Sequence, residues 1–239
     1  MRYPSLLALV VVVLSAHGAE PAAPAPRQSP ASATFTLQRT LKYLVQLPDG
    51  YEGGDSKWPL LVFLHGSGER GDNLKQVEVN GPPKLIAGGK RLPFIVVSPQ
   101  CPDGLPWYGP EIDALVGQLV HTYRVDARRV YLTGLSLGGY GVWDAAIFNP
   151  ERFAAIMPVC GGGYCAEDAA RLKHVPVWAF HGGKDPYVPL QDAKDYVAAV
   201  VAAGGDAKLT IYPEGGHDVW TETYNNPEIY TWLLAHVRP

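Results

Sequence analysis

A serine becomes a strong nucleophile when a base removes its proton and an acid holds the base. Three short stretches offer those three groups. "YLTGLSLGGYGVW" begins at Tyr131 and sets Ser136 between Gly134 and Gly138, in a G-x-S-x-G pattern. "EGGHDVW" carries His217 behind Gly215 and Gly216, which free the loop to deliver an imidazole. "FHGGKDPYVP" carries Asp185. Asp192, Asp195 and Asp206 fall on or after a helix, and Asp218 beside His217 would point elsewhere, so Asp185 is the preferred acid. His65 and His181 precede glycines at strand ends and read as turn or packing residues. His121, His174 and His236 lie in helical or surface contexts. The chemistry on offer is acyl transfer.

A serine among 26 glycines can match such a pattern by chance, so the surrounding elements must support it. They alternate. Phe35 to Leu47 alternates with period two and reads as a strand pair. Pro59 to Leu64, Phe94 to Val97, Val130 to Leu132, Phe153 to Val159, Val175 to Phe180 and Ala207 to Tyr212 are short apolar runs. Runs apolar on both faces suit a buried parallel sheet. Helical spacing marks Pro110 to Tyr123, Leu137 to Phe148, Leu190 to Ala203 and Pro227 to Val237. Alternating strands and helices imply a doubly wound α/β fold, a mostly parallel sheet with helices on both faces. Ligands gather at the carboxyl ends of such strands. Ser136, Asp185 and His217 all follow one.

An oxyanion needs backbone donors. One is the N–H of Leu137, just after the serine. The other comes from "HGSGERG", after the strand ending at Leu64, where Ser67 is the candidate. Trp107, Tyr108, Tyr187 and Trp220 flank the expected mouth, where aromatic faces stack on sugar rings or aryl groups or else pack loops. Trp143, on the helix behind Ser136, reads as core.

Together, "FLHGSGERGDN", "SPQC", "YRVDARRVYLTGLSLGGYGVWDAA", "VCGGG", "VWAFHGGKDPYVP" and "GGHDVW" resemble the α/β-hydrolase superfamily. The likeness is closest to its small dienelactone-hydrolase-like and phospholipase/carboxylesterase-like members, of the "predicted peptidase" type. It covers about Phe35 to Val237. The resemblance implies a serine esterase with Ser136 as nucleophile, Asp185 as acid, His217 as base, and Ser67 and Leu137 at the oxyanion hole. Some members act on feruloyl or acetyl esters of plant polysaccharides. The nucleophile here is serine rather than cysteine, so lactone-ring chemistry does not carry over. The short segment Cys160 to His174 implies a minimal cap and an open site.

Other features bound the reading. Arg2, the apolar run Leu6 to Leu14 and a small-residue end describe a signal peptide over residues 1–18. Residues 19–33 are rich in Pro, Ala and Ser and read as a disordered linker. Residues 34–239 then form one catalytic domain. The expected product is secreted or periplasmic, off the membrane once cleaved. A net charge of −3 with no basic block argues against nucleic acid. No zinc-type spacing and no G-x-G-x-x-G after a strand is present, so no metal or cofactor is expected. Cys160 and Cys165 are close enough for a local bridge, but Cys101 makes the count odd and the pairing stays open. The expected substrate is a small or polysaccharide-linked carboxylic ester. A serine peptidase of the same fold and a non-catalytic binding protein are the alternatives.

Overall fold

The structure, a computed structural model, describes Ser32 and residues 39–239. The expected signal peptide, nearly all of the linker, and residues 35–38 of the expected strand pair lie outside the described residues. Residues 40–239 form one unit around a seven-stranded sheet.

In chain order the strands are β1 (Tyr43–Gln46), β2 (Trp58–Leu64), β3 (Ile95–Pro99), β4 (Val125–Leu135), β5 (Ala155–Val159), β6 (Val177–Gly182) and β7 (Ala207–Tyr212). Their spatial order is β1-β3-β2-β4-β5-β6-β7. Every pair is parallel except β1 with β3, where Tyr43 faces Pro99. The centre of the sheet is apolar on both faces: Leu60 to Leu64 are wholly buried, and so are Ile156 and Met157. That is why these strands read as unbroken apolar runs. The edge strands β1 and β7 mix exposed and half-buried positions.

Six helices are described: α1 (Gly81–Ala87), α2 (Gly109–Thr122), α3 (Leu137–Phe148), α4 (Leu190–Ala202), α5 (Trp220–Asn225) and α6 (Glu228–Leu234). One core cluster gathers α2, α3 and α4 residues; a second gathers α5 and α6 residues against the other face. Helix α3 is the most enclosed, with Gly138, Gly139, Gly141, Val142, Trp143, Ala145 and Ala146 buried. Its glycines let it lie against strand ends without side chains between. A Cβ on Gly139 would sit 2.8 Å from the Val159 carbonyl oxygen.

The sequence reading missed α1 and α5. Helix α1 starts Gly-Pro-Pro, which looks like a loop, yet proline is tolerated in a first helical turn. Helix α5 has only six residues, too few for a periodic pattern. Between β5 and β6 stands a single 3-10 turn, Ala166–Leu172, so the cap is minimal as expected.

Candidate active site

Strand β4 stops at Leu135 and α3 begins at Leu137, so Ser136 is the single joint between them. Its φ is +52° and ψ −119°, a backbone that non-glycine residues seldom adopt. The surroundings hold it there. The Ser136 N–H donates to Val159 O at 2.9 Å, and Ser136 O accepts from Tyr140 N at 3.1 Å. Gly134 makes room: a Cβ there would lie 2.8 Å from Leu64 O. The result is a half-buried hydroxyl above the sheet's carboxyl edge.

The loop after β6 supplies Asp185 and the loop after β7 supplies His217. Gly182 lets these loops meet backbone to backbone, since a Cβ there would lie 2.6 Å from Gly215 O, and Lys184 N donates to Gly215 O at 2.8 Å. Asp185 Oδ2 is 2.7 Å from His217 Nδ1. Since a carboxylate only accepts, Nδ1 carries the imidazole proton. Nε2 is then free to accept from Ser136 Oγ, 2.9 Å away. Asp185 Oδ1 accepts from the N–H groups of Tyr187 (2.9 Å) and Val188 (3.0 Å). Burial pushes the Asp185 carboxyl upward, but the His217, Val188 and Tyr187 hydrogen bonds outweigh it and hold it below the usual range. The three expected residues therefore form one continuous hydrogen-bonded chain.

Tyr187 and Trp220 stand edge-on to the imidazole, with ring centroids at 5.3 and 5.0 Å. Tyr187 is 78% exposed and free to meet a ligand. Trp220 is half-buried and donates through Nε1 to Asn80 Oδ1.

On the opposite side the loop after β2 comes beside the serine. A Cβ on Gly66 would lie 3.6 Å from Ser136 Cβ. Leu137 and Ser67 each open a helical segment, so neither N–H has an acceptor within its helix. His65 orients this loop, a role its sequence context did not reveal. It is fully buried. Its Nδ1–H donates to Gly66 O at 2.6 Å, and Nε2 accepts from Cys101 N at 2.9 Å. The peptide bond that follows is trans, so with Gly66 O turned toward His65 the Ser67 N–H faces the other way. Trp107 completes the brace: it is buried, packs edge-on to His65, and donates Nε1–H to His65 O at 2.9 Å. Its expected place at an open mouth is thus largely taken up by loop support.

Burial lowers the His65 pKa, against the opposing Gly66 hydrogen bond. The unfolded chain therefore takes up this proton first as pH falls. The sign follows: the His65 contribution to stability is complete above about 6.5 and is lost below it. Thermal melts of the wild type should fall through that range more steeply than those of His65→Asn. That variant can still donate to Gly66 O. It should keep most activity, while His65→Ala loses about 10²-fold in kcat.

A cavity of 330 Å³ is lined by Leu137, Tyr140 and Ile147 of α3 and by Trp107, Tyr108 and Tyr164. It starts at the residue after Ser136. Its charged lining residues are Asp144 and Asp168.

None of the three cysteines forms a disulfide; Cys101 and Cys160 are buried and Cys165 is exposed. The local Cys160–Cys165 bridge is not formed. Among the described residues, potential metal donors cluster at Cys160, Asp185 and His217, with their ligand atoms within 4.8 Å. Asp185 and His217 spend those atoms on each other, and burial pushes the Cys160 thiol up to about 12. A cation would have to displace both protons.

Residues 108–227 match the dienelactone hydrolase family, a span that includes Ser136, Asp185 and His217. The chain belongs to that family. As a dienelactone hydrolase family member it is also similar to several esterases. It is 25% identical over 146 residues to the bifunctional acetylxylan esterase/xylanase XynS20E of Neocallimastix patriciarum, covering 58% of this chain. It is 31% identical to a thermostable esterase of solved structure, with TM-score 0.71 over 83% of this chain. A feruloyl esterase module from Clostridium thermocellum, complexed with sinapinate, shares the fold at 19% identity, with TM-score 0.60 and coverage of 80% of this chain and 81% of that one. The chain spans 21% of the length of XynS20E and 60% of the thermostable esterase. The residue at the strand-to-helix joint in this chain is a serine, Ser136.

Proposed function

We propose that this protein is a serine carboxylesterase. The observation that carries the reading is the unbroken hydrogen-bond chain from Ser136 through His217 to Asp185, at a strained strand-to-helix joint. Ser136 Oγ attacks the ester carbonyl while His217 Nε2 takes its proton. The carbonyl oxygen gathers negative charge beside the Ser67 and Leu137 N–H groups, at the positive end of α3. His217 then protonates the leaving alcohol. Water, activated by the same imidazole, hydrolyses the acyl-enzyme and returns the proton to Ser136. Asp185 keeps Nδ1 protonated and balances the imidazolium charge.

The finer reading is an ester carried on carbohydrate, with an acetyl or feruloyl acyl group. The aromatic cavity beginning at Leu137 supports it, since Tyr108 and Tyr164 present exposed rings and the charged side chains there are acidic. Such a surface accepts hydroxyl donors and repels anionic substrates. The kinship to an acetylxylan esterase/xylanase points the same way. Export under the residue 1–18 signal belongs to the same proposal and fits a polysaccharide substrate.

Hydrolysis of p-nitrophenyl acetate, p-nitrophenyl octanoate, methyl ferulate and acetylated xylan, with Ser136→Ala in parallel, tests the proposal. Serine-dependent turnover with preference for the ferulate or the acetylated xylan is the expected result. Equal rates for enzyme and variant would remove the serine mechanism. Preference for octanoate would remove the carbohydrate reading and keep the esterase.

A further inference from the structure

Ser136 shares its positive φ with one other non-glycine residue among those described. Cys160, immediately after β5, has φ +46°. Left-handed backbone costs a residue bearing a Cβ about 1 kcal/mol, and glycine is the usual occupant. Three glycines follow directly at 161–163, so the segment is not short of glycine, yet the strained position carries a side chain. Strain of this kind beside a site invites the question of what the side chain does there.

The side chain points into the triad from below. Cys160 is wholly buried and reduced. Its Sγ lies within 4.8 Å of both an Asp185 carboxylate oxygen and an imidazole nitrogen of His217. Gly182, Val219 and Asp185 make up its polar surroundings. Its own backbone N–H donates to Phe180 O at 2.8 Å, tying the turn to β6. The sulfur thus lies beside the acid and the base, at the end of β6.

We propose that Cys160 is a positioning residue: its S–H donates to the Asp185 carboxylate, completes the hydrogen-bond shell of that acid, and fixes it against His217. Asp185 accepts from Tyr187 and Val188 through Oδ1 and from His217 through Oδ2. A carboxylate has about four acceptor positions, and the thiol fills one without admitting water. Serine would donate more strongly, alanine not at all. The inference rests on the roles assigned to Asp185 and His217.

Other titratable groups surround this point. On β6, His181 sends Nε2–H to Val188 O and lies 3.5 Å from Asp185 Oδ2. Tyr212 on β7 and Tyr224 on α5 lie near Cys160, Tyr140 on α3 lies near Asp185, and burial pushes all three phenols up. The Cys160 thiol is held protonated by its burial. Near neutral pH, then, the sulfur acts as a fixed dipole.

A donor on the carboxylate competes with His217 for its charge. Removing that donor strengthens the Asp185–His217 bond and the hold on the imidazolium. In Cys160→Ala, the low-field proton resonance of the His217 Nδ1–H should move downfield. The acid limb of the kcat/KM profile should move to higher pH by about half a pH unit. In Cys160→Ser neither should move in that direction. Cys160→Gly, which suits φ +46°, should behave as the alanine variant does, and it covers the case in which alanine does not fold. The proposal is overturned if the resonance stays in place in the alanine or glycine variant, or if serine shifts it equally downfield. Simple packing would alter the melting temperature and leave the resonance alone. The resonance needs no substrate, so absence of esterase activity would count against the function and leave this test intact.

Discussion

Ser136→Ala should lower kcat for ester hydrolysis by about 10⁶-fold, with little change in KM or melting temperature. The hydroxyl is half-buried and its hydrogen bond is to His217, so its loss leaves no buried group stranded. His217→Ala should cost nearly as much, and the double variant little more, because the two act as a unit. Asp185→Asn should cost about 10⁴-fold. The amide oxygen can still accept from Tyr187 and Val188, which turns the NH₂ toward His217 Nδ1. Nδ1 must then accept, the proton moves to Nε2, and the imidazole can no longer take one from Ser136. Steady-state kinetics on one small ester decides among these. Equal rates for the serine variant and the wild type would end the nucleophile assignment.

Gly138→Ala should be strongly damaging. A Cβ at 138 would lie 2.5 Å from the Leu64 carbonyl carbon and 2.8 Å from His65 O. Those atoms belong to the end of β2, whose Leu64 pairs with Gly134, so they have nowhere to go. The methyl must lift α3 off the sheet or shift the loop bearing His65 and Ser67. About 3 kcal/mol of destabilisation is expected, a fall in melting temperature near 10 °C for a domain of this size. Activity should fall further than stability explains, since the displaced parts carry the Ser67 and Leu137 N–H groups proposed to hold the oxyanion. A variant that melts within 2 °C of wild type would mean that α3 and β2 are not in such close contact.

The sheet was legible because its strands are buried on both faces. Leu60 to Leu64 and Val177 to Phe180 lie near continuous apolar runs that no exposed strand needs. Helix α3 was legible for the same reason, and its bounds agree at Leu137 and Phe148. Ser136, Asp185 and His217 were legible from the G-x-S-x-G pattern, the glycine-rich loops and the strand ends together, because parallel strands deliver their following loops to one edge. Other features depend on contacts that no local pattern encodes. His65 looked like a turn residue; its role rests on partners at Gly66 and, 36 positions away, Cys101. Trp107 read either as a mouth aromatic or as a loop-packing residue, and only its hydrogen bond to His65 O shows that it braces a loop. Cys160 looked like half of a disulfide, and only its backbone angle and its distance to Asp185 single it out.

The most direct test of the central claim is to catch the acyl group. The protein would turn over p-nitrophenyl acetate, be quenched in acid within the first turnovers, and be digested for peptide mass mapping. An acetyl adduct on the peptide containing Ser136, and none on that peptide from Ser136→Ala, is the predicted result. Turnover with no adduct, or an adduct on another residue, would contradict it.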